Sequence, residues 1–322
     1  MGFDLKSINY EGQFVRTITT PFPPKLHRLQ PLYRYTPRPG SVSSSLMKRI
    51  ITAFILIPLV LLLVFMGPWW QWLFTMAVAA VAALAAWEFL GLAEKAGATP
   101  PRIAVLAAVL ALFASNFEWP LQTAATLGIL SLGLLVYCTF FRPVEQLMAD
   151  ASASIFCLLY IGFTLISLPA LRENPEGNGP SLVTFLLCAV WAGDTAALYV
   201  GRAWGRHKMA PTLSPNKTWE GAIGSLGGSL LSTGVLFGLS QLLQIWDVGG
   251  LSYSGGAWWY WMGLAVVVNV AAQVGDLAES SLKRSAGVKD SGSLLPGHGG
   301  VLDRIDALLI AAPVLWYAQM IH

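Results

Sequence analysis

Four carboxylates in the last fifth of this 322-residue chain have the spacing of a paired acidic site. Asp276 and Glu279 are three residues apart near the end of a long apolar run, and Asp303 and Asp306 repeat that spacing where the next run begins. Residues three apart share a face of a helix, so the two pairs can converge across the connecting loop. Opposed carboxylates repel unless a cation lies between them, and oxygen atoms are the ligands that Mg²⁺ prefers. The pattern therefore predicts a Mg²⁺ site held by Asp276 and Asp303.

The loop between these two pairs is rich in groups that suit phosphate. Cationic side chains and glycine-rich backbone both bind phosphate oxygens, and this loop combines several Lys and Arg residues with a Gly-His-Gly-Gly segment. A purely structural ion-pair cluster is the alternative, but it leaves the glycine-rich segment unexplained. A lone loop histidine is more often a positioning residue than a metal ligand or a general base. The predicted catalytic residues are Asp276, Lys283, Arg284, Lys289, His298, Asp303 and Arg304.

A second polar stretch, residues 191–221, combines glycines with basic side chains. The glycines allow close backbone approach, and the basic groups can meet several phosphates. The alternative is a solvated basic loop of the kind that flanks membrane helices. Asp194 is harder to explain in that way, because a carboxylate near the end of an apolar helix is unfavourable unless it meets a cation or a cavity. The predicted substrate-binding residues are Asp194, Lys208, Ser214, Lys217, Glu220 and Asp306.

The elements that carry these residues are membrane helices. The chain is 55% hydrophobic and only 11% charged, which is too apolar for a soluble globular surface. A spanning helix needs roughly 20 mainly apolar residues. Nine runs approach that length, so we expect an all-α polytopic integral membrane protein of about nine transmembrane helices, with its polar active site at the cytoplasmic helix ends. The runs cover residues 50–66, 69–87, 103–117, 121–141, 151–171, 181–200, 221–245, 258–277 and 305–321.

Basic residues predict the orientation of these helices. An amino terminus in the cytoplasm places the 202–217 and 283–289 loops on the cytoplasmic side together with Lys95 and Arg142, and leaves only Arg172 outside. This agrees with the positive-inside rule, whereas the opposite orientation exports nearly every basic loop residue. The first four helices carry little that could do chemistry. The three cysteines lie in apolar runs without metal-ligand spacing, so they predict packing rather than a zinc site.

Residues 1–46 differ from the rest of the chain. They are rich in proline and basic residues and have no helical apolar period. We expect a disordered tail rather than a secretory signal, because the apolar positions are scattered. Met47, followed by Lys48 and Arg49, is an alternative translation start. The predicted division is thus a tail over 1–46 and a membrane domain over 47–322.

Three segments together resemble one enzyme family. Residues 280–306 read SSLKRSAGVKDSGSLLPGHGGVLDRID, residues 214–221 read SPNKTWEG, and residues 47–52 read MKRIIT. The first segment looks like the signature of the phosphatidate cytidylyltransferases, or CDP-diacylglycerol synthases, without departure. The second is similar to an upstream landmark of that family and the third to its usual bacterial amino terminus. The resemblance covers the chain from about residue 47 to its end.

This resemblance implies that CTP and phosphatidate react to give CDP-diacylglycerol and pyrophosphate. It implies a requirement for Mg²⁺, with K⁺ as a second cation, and the positions of Asp276 and Asp303 match those that hold the metals. The candidates for the CTP phosphates are then Lys208, Ser214, Lys217 and Lys289. Lys283, Arg284 and Arg304 are candidates for the charge of phosphatidate or the leaving group. The resemblance also implies a homodimer in the bacterial inner membrane, among membrane lipids and without a nucleic-acid partner.

Two other functions compete with this interpretation. A CTP-dependent polyprenol or phytol kinase is a related membrane enzyme with a different acceptor, but the complete 280–306 segment argues against it. A transporter or channel would need polar residues at the midplane of several helices. Here the polar residues collect at one end of the helices, which favours the enzyme.

Overall fold

The computed structural model describes residues 56–174, 178–246, 250–253, 257–294 and 299–321. The predicted tail over 1–46, the alternative start at Met47 and the beginning of the first apolar run lie outside these residues. His298 of the Gly-His-Gly-Gly segment lies outside them too.

Helices make up most of the described chain, which confirms an all-α membrane protein. Each of the nine apolar runs falls on a helix or, for 151–171, on a continuous helical stretch in which the π-helical turn Leu158–Phe163 joins α5 to α6. The helices are α1 (Leu56–Phe65), α2 (Gln71–Lys95), α3 (Arg102–Glu118), α4 (Thr123–Phe141), α5 (Leu147–Cys157), α6 (Thr164–Arg172), α7 (Gly179–Trp204), α8 (Trp219–Ile245), α9 (Trp258–Ser285) and α10 (Leu302–Met320).

Six helical stretches within the described residues are long and apolar enough to cross a membrane. They are α2, α4, the stretch Val144–Arg172, α7, α8 and α9. Helix α3, with 17 residues, is at least two turns shorter than five of these six stretches. Helix α10 has 19 residues, but Asp303, Arg304 and Asp306 interrupt its apolar character at the start. The predicted number of nine is therefore approximate.

A two-stranded antiparallel hairpin separates α7 from α8. Strand β1 (Lys208–Ala210) pairs with β2 (Ser214–Thr218), with Lys208 opposite Thr218 and Ala210 opposite Ser214. The sequence predicts a loop over residues 202–217, and the structure corrects this prediction, because most of the stretch forms a hairpin. The strands are too short and too polar to show the alternation that indicates a strand.

Small residues allow α7 and α8 to pack closely. Gly228 of α8 lies against Ala192 and Ala196 of α7, and a Cβ atom on Gly228 would stand 2.6 Å from the Ala192 carbonyl oxygen. Small residues at such crossings are typical of membrane helices, because they let the two backbones approach. This close crossing brings the end of α7 and the beginning of α8 together under the hairpin.

Buried amides connect α8 to α9. Asn269 donates to Ser225 Oγ at 2.9 Å and to Ser229 Oγ at 2.7 Å, and Gln273 donates to Asn269 Oδ1 at 2.7 Å. Gln273 also donates to the Ala222 carbonyl oxygen at 3.2 Å. Hydrogen bonds between membrane helices fix their relative rotation, since an unpaired amide is unfavourable there. The network holds the end of α9 that carries Asp276 in register with the start of α8.

Candidate active site

The hairpin is fixed to α8 by two side chains at the start of that helix. The Thr218 hydroxyl accepts a hydrogen bond from the Gly221 amide at 3.1 Å and so caps α8. The Glu220 carboxylate accepts bonds from the amides of Arg206 and His207 at 3.1 and 3.2 Å and lies 2.6 Å from the His207 ring nitrogen. The Glu220 carboxylate is therefore bonded to protein groups, and its role in substrate binding stays a prediction.

A cavity of about 590 Å³ opens beside the hairpin. Four of the predicted site residues line it, and they come from three different elements: Asp194 from α7, Lys208 and Lys217 from the hairpin, and Asp276 from α9. Its floor includes Ser225 and Gln273 of the buried amide network. The structure thus brings together residues that are up to 82 positions apart in the sequence.

Two opposite charges meet on the wall of this cavity. The Lys217 ammonium lies 2.5 Å from Asp276 Oδ2, and both side chains are partly exposed. Asp194 is within electrostatic range of the same pair, and Asp306 is within range of both Asp194 and Asp276. Arg202 and Lys208 line the same cavity, so it combines carboxylates that suit a cation with basic groups that suit phosphate.

A second charged cluster lies where α9 ends and α10 begins. The Lys283 ammonium is 2.7 Å from Asp303 Oδ1 and forms an ion pair with Glu279, whose side chain is fully buried. Asp303 also accepts hydrogen bonds from the amides of Ser291 at 3.1 Å and Gly300 at 2.8 Å. Asp303 is thus held by one ammonium and two backbone amides.

Arg284 connects the two parts of the site. Its guanidinium donates to the Leu213 carbonyl oxygen in the hairpin turn at 3.2 Å and to the Val288 carbonyl oxygen after α9 at 2.9 Å. Arg284 therefore holds the hairpin turn against the end of α9. Because both bonds go to protein backbone, the structure gives Arg284 a holding role beside its predicted role toward substrate charge.

The remaining predicted residues lie around these clusters. Lys289 is exposed in the loop after α9, and Arg304 is exposed in the first turn of α10. Ser214 is half-buried as the first residue of β2 and is not among the residues that line the cavity. Asp306 accepts a hydrogen bond from the Ala307 amide at 2.8 Å.

One residue that the sequence interpretation missed contacts this site. Glu88 lies in α2, is 5% exposed, and accepts hydrogen bonds from Ser291, Val301 and Leu302. The first four helices therefore contribute one contact to the site, from α2. A carboxylate within the apolar run AALAAWEFLGLA was the available signal, because such a group needs a partner inside a membrane protein.

The donor atoms around the cavity suit a hard cation. Mg²⁺ usually takes one or two protein carboxylates and leaves its other positions to water and substrate phosphate. Asp194 and Asp276 offer two such carboxylates on one cavity wall. Among the described residues no group of three or more His, Cys, Asp or Glu side chains is close enough to hold a metal ion by itself. These carboxylates therefore suit a cation whose other ligands are water and substrate phosphate.

Comparison with known proteins decides the family. A family model described as the cytidylyltransferase family matches residues 47–322, which is most of the chain. This chain belongs to the cytidylyltransferase family. The match begins at the residue where the sequence interpretation placed the membrane domain, and it includes the hairpin and both charged clusters.

Relatives of this cytidylyltransferase carry a more specific name. A phosphatidate cytidylyltransferase of Brucella melitensis is 37% identical over 278 residues, which are 85% of this chain and 93% of the relative. One of Pseudomonas aeruginosa is 37% identical over 288 residues, 85% of this chain and 98% of the relative. One of Synechocystis sp. is 33% identical over 295 residues, 84% and 95% of the two chains. These matches confirm the family resemblance of residues 280–306 and extend it along nearly the whole membrane domain.

Proposed function

We propose that this cytidylyltransferase transfers CMP from CTP to phosphatidate and so makes CDP-diacylglycerol and pyrophosphate. The observation that carries the proposal is the cavity in which Lys208 and Lys217 face Asp194 and Asp276 at the ends of membrane helices. It lies where a soluble nucleotide and a lipid phosphate can both arrive. The three named relatives, which match nearly their full length, support the same reaction.

The reaction needs charge neutralisation and alignment more than proton removal. A phosphate oxygen of phosphatidate attacks the α-phosphorus of CTP, the new phosphoanhydride bond forms, and the bond from the α-phosphorus to the bridging oxygen of the β-phosphate breaks. Pyrophosphate leaves with that oxygen. Because the phosphate monoester is already a competent nucleophile near neutral pH, positioning and electrostatic stabilisation account for catalysis.

The basic residues of the hairpin are placed to bind the nucleotide. Lys208 and Lys217 reach the cavity from neighbouring strands, so both ammonium groups can meet the phosphates of one CTP molecule. Lys217 pairs with Asp276, and a CTP phosphate would give its ammonium a second anionic partner. Lys283 and Arg284 lie on the α9 side and are assigned to the lipid phosphate or the departing pyrophosphate.

Mg²⁺ is the proposed cofactor, with K⁺ as a second cation. Asp276 and Asp303 are its proposed protein ligands. Asp303 lies in the second cluster with Lys283 and is not among the residues that line the cavity, where Asp194 is the carboxylate near Asp276. When bound, the cation would neutralise the charge that develops on the phosphate oxygens. The protein's own part is to hold these carboxylates with Lys217, Lys283 and backbone amides in one arrangement.

The proposed orientation places the hairpin in the cytoplasm of a bacterial cell, in the inner membrane. Arg284 links the hairpin to the loop after α9, and Glu88 links that loop to α2, so the basic residues of these segments lie at one end of the helices. An excess of Lys and Arg at one end is typical of the cytoplasmic side. CTP would then reach the cavity from the cytoplasm. A homodimer is proposed on the family resemblance alone.

The position of the label in CTP tests this proposal against a lipid kinase. Purified protein in detergent is given Mg²⁺ and phosphatidate with CTP labelled at the α-phosphate or, separately, at the γ-phosphate. The proposal predicts lipid-phase label from the α-labelled nucleotide only, and pyrophosphate in the aqueous phase. Lipid-phase label from the γ-labelled nucleotide would instead indicate phosphoryl transfer.

A further inference from the structure

Glu88 is a buried carboxylate that the proposed chemistry does not use. It lies in the middle of the apolar sequence of α2, and only 5% of its surface is exposed. An ionisable side chain in such surroundings is unfavourable unless its hydrogen-bonding atoms are satisfied. Both of its carboxylate oxygens accept hydrogen bonds, and the donors Ser291, Val301 and Leu302 lie in the loop after α9 and at the start of α10.

Two of these donors are the first amides of α10. The Val301 amide donates to Glu88 Oε1 at 3.0 Å and the Leu302 amide to Oε2 at 2.9 Å. The first amides of a helix have no acceptor within that helix, and the helix dipole favours negative charge at this end. Glu88 therefore supplies from α2 the cap that α10 lacks in its own sequence, since Val301 has no side-chain oxygen.

The third donor connects Glu88 to Asp303. The Ser291 hydroxyl donates to Glu88 Oε2 at 3.0 Å, and the amide of the same residue donates to Asp303 Oδ2 at 3.1 Å. The Gly300 amide donates to Asp303 Oδ2 at 2.8 Å, one residue before the amide that Glu88 binds. Glu88 and Asp303 thus accept hydrogen bonds from the same two places, Ser291 and the segment 300–302.

Two glycines are needed for this arrangement. A Cβ atom on Gly292 would stand 2.4 Å from Glu88 Oε1, and one on Gly300 would stand 2.3 Å from Glu88 Oε2. Contacts this close do not occur for real Cβ atoms, so any side chain at either position would displace the carboxylate. The loop around Asp303 therefore packs directly against the Glu88 carboxylate and leaves no room for side chains at positions 292 and 300.

We propose that Glu88 is a positioning residue for the cytidylyl transfer: through Ser291, Gly300 and the first turn of α10, it sets the position of the Asp303 carboxylate. The inference rests on the proposed function of this site. In this role Glu88 acts on Asp303 through hydrogen bonds and not through contact with the reacting phosphates. Its effect on the reaction comes through the atoms that hold Asp303, whereas the hairpin cavity is lined by α7, the hairpin, α8 and α9.

The test uses the isosteric variant Glu88→Gln, the truncation Glu88→Ala and the matched control Glu94→Gln. Glu94 also lies in α2, but it is more exposed and pairs with Arg102 at the surface. A glutamine at position 88 keeps the size of the side chain but replaces one acceptor by an amide donor that faces an N–H group. The full chain is purified in detergent, and kcat per folded molecule, the KM for CTP and amide hydrogen exchange are measured.

Supporting partners around an active-site ligand typically change activity by about 10-fold to 100-fold. We therefore expect kcat to fall by roughly that factor in Glu88→Gln and further in Glu88→Ala, while the KM for CTP stays within about twofold. The amides of Val301 and Leu302 should exchange faster in both variants, because their acceptor is weakened or lost. Glu94→Gln should match the wild-type protein in every measurement.

Each other outcome overturns the proposal. An unchanged kcat in Glu88→Gln and Glu88→Ala would show that the Asp303 position does not depend on Glu88, whatever the exchange rates. A lower kcat with unchanged exchange at Val301 and Leu302 would show that Glu88 acts by another route. If the wild-type protein makes no CDP-lipid, the proposed function fails. The exchange rates then decide separately whether Glu88 orders this loop.

Discussion

The ammonium of Lys217 lies 2.5 Å from the carboxylate of Asp276, and this contact joins the hairpin to α9 across the cavity. A similar contact joins Lys283 to Asp303 at 2.7 Å where α9 gives way to α10. Each of the two aspartates predicted to hold metal is therefore paired with a lysine from another part of the site. These lysines balance part of the negative charge of the two aspartates.

The two aspartates give the first prediction. Asp276→Asn and Asp303→Asn should each lower kcat by roughly 100-fold or more, because each change removes a negative charge that orients cations around the phosphates. Insertion into the membrane should stay normal, since Asp276 lies near the end of its apolar run and Asp303 lies in the polar first turn of α10. The measurement is turnover per folded molecule after detergent extraction. Near-normal turnover in either variant would remove that residue from the reaction.

Lys283 should be important for stability as well as for activity. Its side chain is 12% exposed and pairs with Glu279, which is fully buried, so Lys283→Met leaves a buried carboxylate without its cation. Breaking a buried pair from one side destabilises a protein by about 3–5 kcal/mol. The double variant Lys283→Met with Glu279→Gln should recover part of this loss. Thermal unfolding in detergent measures both, and a double variant less stable than the single one would contradict the pairing.

Arg284 is predicted to hold the hairpin against α9. Arg284→Lys keeps the charge but cannot reach the Leu213 and Val288 carbonyl oxygens together, because lysine lacks the planar fork of arginine. Loss of one such bond is worth about 1 kcal/mol, so we expect the KM for CTP to rise by roughly threefold to tenfold. Arg206→Lys is the matched control, since Arg206 is exposed and its contact to Glu220 uses the backbone amide. A KM equal to that of the control would show that hairpin position does not depend on Arg284.

Removal of divalent cations gives a prediction that needs no mutation. Chelation should abolish CDP-lipid formation, and added Mg²⁺ should restore it. Ca²⁺ should restore it poorly, because it requires more oxygen ligands at longer distances than Mg²⁺ does. The assay is lipid-phase label from α-labelled CTP before and after addition of each ion. Undiminished activity in the chelated protein would contradict a metal requirement.

The sequence predicted most of the helices because a membrane imposes a length and a composition on each of them. The positions of α2 to α10 follow the apolar runs closely, apart from ends that extend beyond the apolar part, as α9 does through Lys283 to Ser285. The hairpin could not be predicted in this way. It has three residues in one strand and five in the other, and contacts to Glu220 and Arg284 hold it rather than an apolar face.

The structure brings Lys217 and Asp194 to Asp276, whereas Asp303 lies in the second cluster with Lys283. Spacing alone placed Asp276 and Asp303 on consecutive helices, and motif resemblance connected them with Lys217. No local pattern could indicate that Glu88, 203 residues before Ser291, lies against the loop that holds Asp303. A contact of that kind depends on how α2 packs beside α10, which local spacing does not specify.

The most direct test of the central claim compares the wild-type protein with Asp276→Asn under identical conditions. Both are purified in detergent, given phosphatidate, Mg²⁺ and α-labelled CTP, and the lipid phase is analysed for CDP-diacylglycerol. The account predicts that the wild-type protein forms CDP-diacylglycerol with one pyrophosphate released per lipid, and that Asp276→Asn forms almost none. A folded wild-type protein that makes no CDP-lipid, or a variant that makes it as fast as the wild type, would contradict the account.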